Sequence, residues 1–144
     1  MNVPGIYTID YLQSSHIELP FLTLGSKLKI SDHTNENPKP INFIPGSSQL
    51  LINKISNQIV EIFDLKLSFL IAGNDPDQMN ELDIMDQVRH IFIVMDNSLT
   101  KYLIGSNKGA RPSVSYEIIN EPKQRCLKCM ISFSTALFPI LVID

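Results

Sequence analysis

Hydrophobic and polar positions alternate most strictly over Ile59–Ala72. Phe63, Leu65, Leu67, Phe69 and Ile71 fall on one face there, and Asp64, Lys66 and Ser68 on the other. Alternation of period two over this length predicts a strand with one buried face and one wet face. Arg125–Phe138 repeats the pattern, with Leu127, Cys129, Ile131, Phe133 and Leu137 opposite Lys128, Ser132 and Ser134; Met130 and Phe138 interrupt the polar side. Phe21–Ile30 alternates as well, setting Leu22, Leu24, Leu28 and Ile30 against Thr23, Lys27 and Lys29. Shorter strands are expected at Leu50–Ile55 and Val114–Asn120, with a short apolar stretch at Leu99–Ile104.

The period changes after Asn74. Met79, Leu82, Met85, Val88, Phe92 and Met95 recur every three or four residues, and Ile84 and Ile91 widen the stripe. Asn74 or Asp75 can cap a helix whose first position is Pro76, where a missing N–H is harmless. Asp75, Asp77, Glu81 and Asp83 crowd its first turns, where negative charge suits the helix dipole. The spacing predicts an amphipathic helix over about Asp77–Met95, with Asp86 and Arg89 as a surface pair. A short helix capped by Thr8 is expected to carry Ile9 and Leu12. The fold class that follows is α+β. A mixed, mostly antiparallel sheet carries one long amphipathic helix, and a short one or two, on one face, all within a single domain of residues 1–144.

Ser31–Gln49 breaks this regularity. Asp32, His33, Asn35, Glu36, Asn37, Pro38, Pro40, Pro45 and Gly46 make it polar and rich in breakers, which predicts a mobile loop long enough to carry function. Ile41, Phe43 and Ile44 stand close together inside it. At the other end, Leu137–Ile143 is apolar, is broken by Pro139 and suits a terminal strand. An apolar strand at a chain end invites aggregation unless something pairs with it. The candidate assembly contacts are therefore Ile41, Phe43, Ile44, Leu137, Phe138, Ile140, Leu141, Val142 and Ile143, expected to be covered by neighbouring subunits.

Composition narrows the function classes. The 144 residues are 44% hydrophobic and 19% charged with a formal net charge of -3, so a core of one domain's size is expected. Lys and Arg are scattered singly, without the basic stripe that phosphate contacts require, so no specific nucleic-acid partner is expected. Met1–Tyr11 lacks the charged and apolar regions of a secretory signal. No run approaches the roughly 18 apolar residues of a spanning helix, so no membrane association is expected. Two cysteines do not make a disulfide scaffold, which fits a reducing compartment.

The residue types able to carry chemistry lack partners. Cys126-Leu-Lys-Cys129 has redox-motif spacing, but it lies in a strand pattern, where positions three apart point to opposite faces. A zinc site would need further ligands, and His16, His33 and His90 are not at paired spacing. Gly105-Ser-Asn-Lys-Gly109 lacks the spacing of a phosphate cradle, and no nucleophile elbow or dinucleotide fingerprint occurs. No catalytic residue, metal or cofactor is expected, and the chain is not expected to be an enzyme.

The order of elements from about Leu19 to Leu137 resembles the tail terminator proteins of long-tailed bacteriophages. The resemblance rests on a strand introduced by Leu19-Pro20, a long insertion, the amphipathic strand Glu61–Ile71, and the Asp- and Pro-rich turn Asn74–Asp77. A helix with an Asp-x-x-Arg step at Asp86–Arg89, a loop, a strand and the long strand Arg125–Phe138 complete it. It departs from the family at both ends. Met1–His16 supports only a short helix where the family has a long one, and Leu137–Ile143 extends past the family's end. The resemblance implies a virion structural protein of the tail or neck, assembled in the host cytoplasm. Copies of it would form a homo-oligomeric ring, usually a hexamer, that caps the tail tube and joins it to the head through the neck proteins. In that family loops or hairpins reach neighbouring subunits. Another connector, neck or baseplate subunit, or a small-ligand-binding α+β domain, are the alternative readings.

Overall fold

The computed structural model describes residues 5–20, 27–56, 61–107, 109–136 and 140–143. In chain order its elements are β1 (Ile6–Gln13), β2 (Lys27–Leu28), β3 (Lys39–Pro40), β4 (Gln49–Ser56), β5 (Glu61–Ala72), α1 (Pro76–Gln87), β6 (His90–Asp96), β7 (Lys101–Ile104), β8 (Ser113–Glu121), β9 (Gln124–Thr135) and β10 (Ile140–Val142). Short 3-10 turns at Ser14–His16 and Ile30–Asp32 punctuate the first third. The strands form two sheets, ordered β2-β10-β7-β6-β1-β3 and β4-β5-β9-β8. Every pairing is antiparallel except β10 with β2. The fold is α+β, as the sequence patterns predict, with two sheets enclosing one core.

The four-stranded sheet follows from alternation. Leu65, Leu67, Phe69 and Ile71 of β5 and Leu127, Cys129, Ile131 and Phe133 of β9 are buried together, while Lys66 and Lys128 face water. The first two residues of the expected Ile59–Ala72 strand lie outside the described residues, as do Leu22, Leu24 and the start of the Phe21–Ile30 strand.

The six-stranded sheet is where the patterns mislead. The predicted helix ends at Gln87, not Met95, and Val88 is already extended at φ -108. His90 to Val94 are all buried. Phe92 and Val94 enter the core between the sheets with Tyr102 and Ile104 of β7. Ile91 and Ile93 enter a second core on the outer face with Leu12, Ile17, Leu28, Ile30, Leu103 and Val142. A helix could bury only one side of Val88–Met95, whereas a strand between two apolar layers buries both. That gain overrides the helical spacing.

The short helix expected around Ile9 and Leu12 is likewise a strand, β1. Its register slips between Ile6 and Thr8. The bulge brings Ile6 and Ile9 into the core between the sheets, whereas Leu12 enters the outer core from the opposite face. The helix-like spacing of Ile9 and Leu12 therefore comes from burial on both faces of the strand. The β6–β7 turn is organised by buried Asp96, whose Oδ1 accepts from Ser98 N at 2.9 Å and Thr100 N at 3.0 Å. The same turn holds Leu99 at φ 65.

The expected loop 31–49 is not free surface. It contains β3, and Glu18 N donates to His33 O at 3.1 Å.

The helix boundary generates a test. Val88 is 38% exposed at the helix end, so Val88→Asp should shift stability by less than about 1 kcal/mol. Phe92→Asp would place an unpaired charge in the central strand and should cost on the order of 4 kcal/mol or more. Urea unfolding of both variants checks this, and equal destabilisation would overturn the boundary.

Candidate functional site

The sequence-predicted contact residues are largely occupied by the chain itself. Ile41 is 8% exposed, sits in the main core, and its N–H donates to Ile9 O at 2.8 Å. Phe43 is half-buried, with its ring 6.3 Å from that of Phe69. Ile44 is half-buried, and its N–H donates to Leu70 O at 2.8 Å. Ser47 locks this crossing, donating from Oγ to Ile44 O at 2.6 Å and accepting from Leu70 N at 3.1 Å.

At the other end β10 inserts between β7 and β2, with Leu141 opposite Tyr102 and Lys27, and Val142 opposite Lys101 and Leu28. Val142 is 8% exposed in the outer core, and Leu141 packs on the main core. Ile143 is exposed. Leu137, Phe138 and the side chain of Ile140 lie outside the described residues. The expectation that neighbouring subunits cover these segments is thus corrected for Ile41 and Val142. Pairing with the chain's own sheet removes them from water first.

Apolar surface is exposed elsewhere, on two hairpins. β9 pairs with β5 only as far as Phe63–Thr135, so the far end of the β4–β5 hairpin has no third strand among the described residues. There Ile55 and Ile62 stand directly opposite each other, 54% and 37% exposed, beside the Lys54–Glu61 ion pair at 3.2 Å. At the opposite end of the sheet, β5 stops opposite Cys126 and the β8–β9 hairpin continues to Glu121–Gln124. Ile118, 50% exposed, lies near its tip. In the sequence Ile55 stands among polar residues, whereas Ile62 precedes Phe63 and Ile118 precedes Ile119, so nothing local marks them as exposed.

Clefts border the six-stranded sheet. One, of about 320 Å³, has Ile30, Ile93 and Val142 among its lining and sets Asp10 near Lys101, with Thr34–Pro38 along its rim. Burial pushes the Asp10 carboxyl up, and the Lys101 charge opposes this in part.

Another, of about 330 Å³, lies between α1 and β1–β3. Gln78, Glu81, Leu82 and Met85 line it from one helical stripe, at spacings of three, four and seven. Tyr11 Oη donates to Glu81 Oε1 at 2.9 Å. Burial, then the hydrogen bond and charge of Glu81, push the Tyr11 phenol up to about 12. Sequence spacing makes the helical stripe visible, but not that β1 lies across from it.

α1 also ties the two sheets together. Asp75 caps it, accepting from Asp77 N at 3.0 Å. Asp86 Oδ1 accepts from Val114 N at 2.9 Å, and Asp83 Oδ2 from Tyr116 Oη at 3.4 Å. Asp86 and Arg89 are therefore not the helix-surface pair expected. Arg89 lies beyond the helix and donates to the carbonyls of Ser106, Gly109 and Ala110.

His90 is buried, with Nδ1 2.6 Å from Val88 O and its ring against Tyr11. Among the described residues no three His, Cys, Asp or Glu side chains gather to hold a metal ion. No described helix is long and apolar enough to cross a membrane.

Cys126 and Cys129 are free thiols, both fully buried. Burial, then the neighbouring Cys126, push the Cys129 thiol from 9.0 to about 12. This acid ionises more readily unfolded than folded. Its contribution is therefore intact below pH 9.0 and is lost as pH rises toward about 12. Cys129→Ala should flatten the fall of stability with pH in that window, while lowering stability at neutral pH through the cavity it leaves. Denaturant unfolding at pH 7 and across the alkaline range measures both effects. An unchanged alkaline slope would show that the thiol titrates normally.

Set beside known proteins, the chain matches no family model, no curated sequence and no solved structure.

Proposed function

We propose that the chain is a structural subunit of the tail-terminator kind. Copies of it close into a homo-oligomeric ring, a hexamer on the family's pattern, that caps a phage tail tube and joins it to the neck. The virion is its place of action and its partners are its own copies, the tube and the neck proteins. The observation that carries the reading is the pair of hairpins leaving opposite ends of the four-stranded sheet, each with exposed isoleucine. Contacts made by two different patches on one chain are heterologous, and heterologous contacts close into rings when the rotation allows. β4 is an edge of its sheet among the described residues, and edge strands recruit strands from other chains. Burying one isoleucine contributes roughly 1.5–3 kcal/mol, and a ring repeats that gain at each interface.

The test exploits the two-patch geometry. Native mass spectrometry and light scattering of the purified chain, alone and with tail tube, should give a closed oligomer. Ile55→Lys with Ile62→Lys should abolish it, as should Ile118→Lys. The substitutions lie on exposed positions, so circular dichroism should be unchanged. Mixing the two variants should restore one intact interface and yield heterodimers without rings. A parent chain that stays monomeric under both conditions, or variants that assemble like the parent, would overturn the proposal.

A further inference from the structure

β8 is an edge strand of the four-stranded sheet, with β9 on one side of it. On the other side Val114 N donates to Asp86 Oδ1 at 2.9 Å. Successive residues of a strand turn their N–H and C=O groups to alternate sides. Ser115, Glu117, Ile119 and Glu121 therefore bond to β9, in keeping with the Glu121–Gln124 pair that closes the two-residue turn. Tyr116, Ile118 and Asn120 aim their backbone groups outward, and among the described residues nothing bonds to them there.

Exposed edges are ordinarily blunted by short strands, proline, bulges or charge. The six-stranded sheet follows this rule: its edge strands β2 and β3 have two residues each, and β3 contains Pro40. β8 has nine residues, no proline, Lys or Arg, and no slip in its register with β9. Ile118 is 50% exposed on it, although the Leu127 opposite is fully buried.

We infer that β8 pairs with β8 of a second copy, antiparallel about a two-fold axis through Ile118, which joins the two four-stranded sheets into one. Charge selects this register. A two-fold axis at Glu117 sets the two Glu117 carboxylates opposite each other, and one at Ile119 sets Glu117 opposite Glu121; like charges directly opposite are unfavourable. An axis at Tyr116 needs the Val114 N–H, which Asp86 already holds. Centred on Ile118, the register sets Ile118 against Ile118, Tyr116 against Asn120, Glu117 against Ile119 and Glu121 against Ser115. Each pair of outward residues exchanges two hydrogen bonds, and the exposed isoleucines cover each other. The contact is two-fold, unlike the heterologous contacts of a ring, and does not rest on the ring reading. Ile118 serves either contact, so dimer and ring compete for it.

The test uses the full chain carrying Ile55→Lys and Ile62→Lys, which removes the ring's other patch and leaves β8 intact. Sedimentation equilibrium over a concentration series should show monomers in exchange with dimers. Amide hydrogen exchange followed by NMR should be slow at Ser115, Glu117 and Ile119 at every concentration. At Tyr116, Ile118 and Asn120 it should slow only as the dimer fills. Ile118→Pro in this background removes the central outward donor and none of the bonds to β9, and proline is tolerated on strand edges. Circular dichroism should be unchanged and the dimer weakened roughly tenfold or more. Ser115→Lys, opposite the partner subunit's Glu121, should tighten the dimer roughly twofold to tenfold at low salt, and Ser115→Glu should weaken it by as much. A chain that stays monomeric, or a dimer whose outward amides exchange as in the monomer, overturns the inference. So do Ser115→Lys and Ser115→Glu dimers of equal strength. A double variant that dimerises as described, from a parent chain that forms no ring, supports this inference and overturns the ring reading alone.

Discussion

Strand β6 must be covered on both faces, and much of the architecture follows from that requirement. Ile91 and Ile93 face one way and Phe92 and Val94 the other, so a single sheet-on-sheet contact would leave half of the strand in water. The inner half is covered by the four-stranded sheet. The outer half is covered by pieces with little regular structure: Ile17 after one 3-10 turn, Ile30 at the start of another, and Val142 of the terminal strand. These pieces come from distant parts of the sequence, and they hold together because the same apolar strand lies beneath them. Asn107 reinforces the layer, its amide donating to Ser14 O, Ser14 Oγ and Ile17 O while its Oδ1 accepts from Leu19 N.

The helix does a different job from the one its stripe suggests. It is too short to cover a sheet, and Leu82 and Met85 are its buried residues. Its acidic side chains do more, since those of Glu81, Asp83 and Asp86 reach strands and that of Asp75 caps the first turn. Asp83 and Asp86 bond to β8 of the four-stranded sheet, and Glu81 to Tyr11 of the six-stranded one. The helix therefore bridges the two sheets along one side. A cleft lies on the β1 side of this bridge, lined by Tyr11, Gln78, Glu81, Leu82 and Met85.

The legible parts of the fold are those whose burial is one-sided. β5, β8 and β9 read directly from alternation, and the α1 N-terminus from Asp75 and Pro76, because the signal and its cause are local. Val88–Met95 misleads because burial on two faces erases alternation and leaves only apolar character, which a helical period fits by accident. β1 misleads because a bulge shifts Ile6 and because Ile9 and Leu12 are buried on opposite faces. Ile41 and Val142 mislead for a third reason. Their neighbours are polar or terminal, and what buries them is pairing with strands far away in sequence, which no local window contains. The cleft was half legible: one wall is a helical spacing, the other a strand whose position depends on the whole sheet.

The same distinction between local and distant burial bears on assembly. Loop polarity and a terminal apolar run point to surfaces that the chain has already used for itself. Exposed isoleucines stand instead on the two hairpins: Ile55 and Ile62 beyond the reach of β9, on the polar face with Asp64 and Lys66, and Ile118 on the edge strand β8 opposite Leu127. Isolated two-stranded hairpins are marginal in water, so an apolar pair kept at such an end is favoured most when a partner supplies the missing layer. Hairpins at opposite ends cannot fold back onto one shared patch of the same chain. Under the proposed ring, the complementary end of another copy supplies that layer.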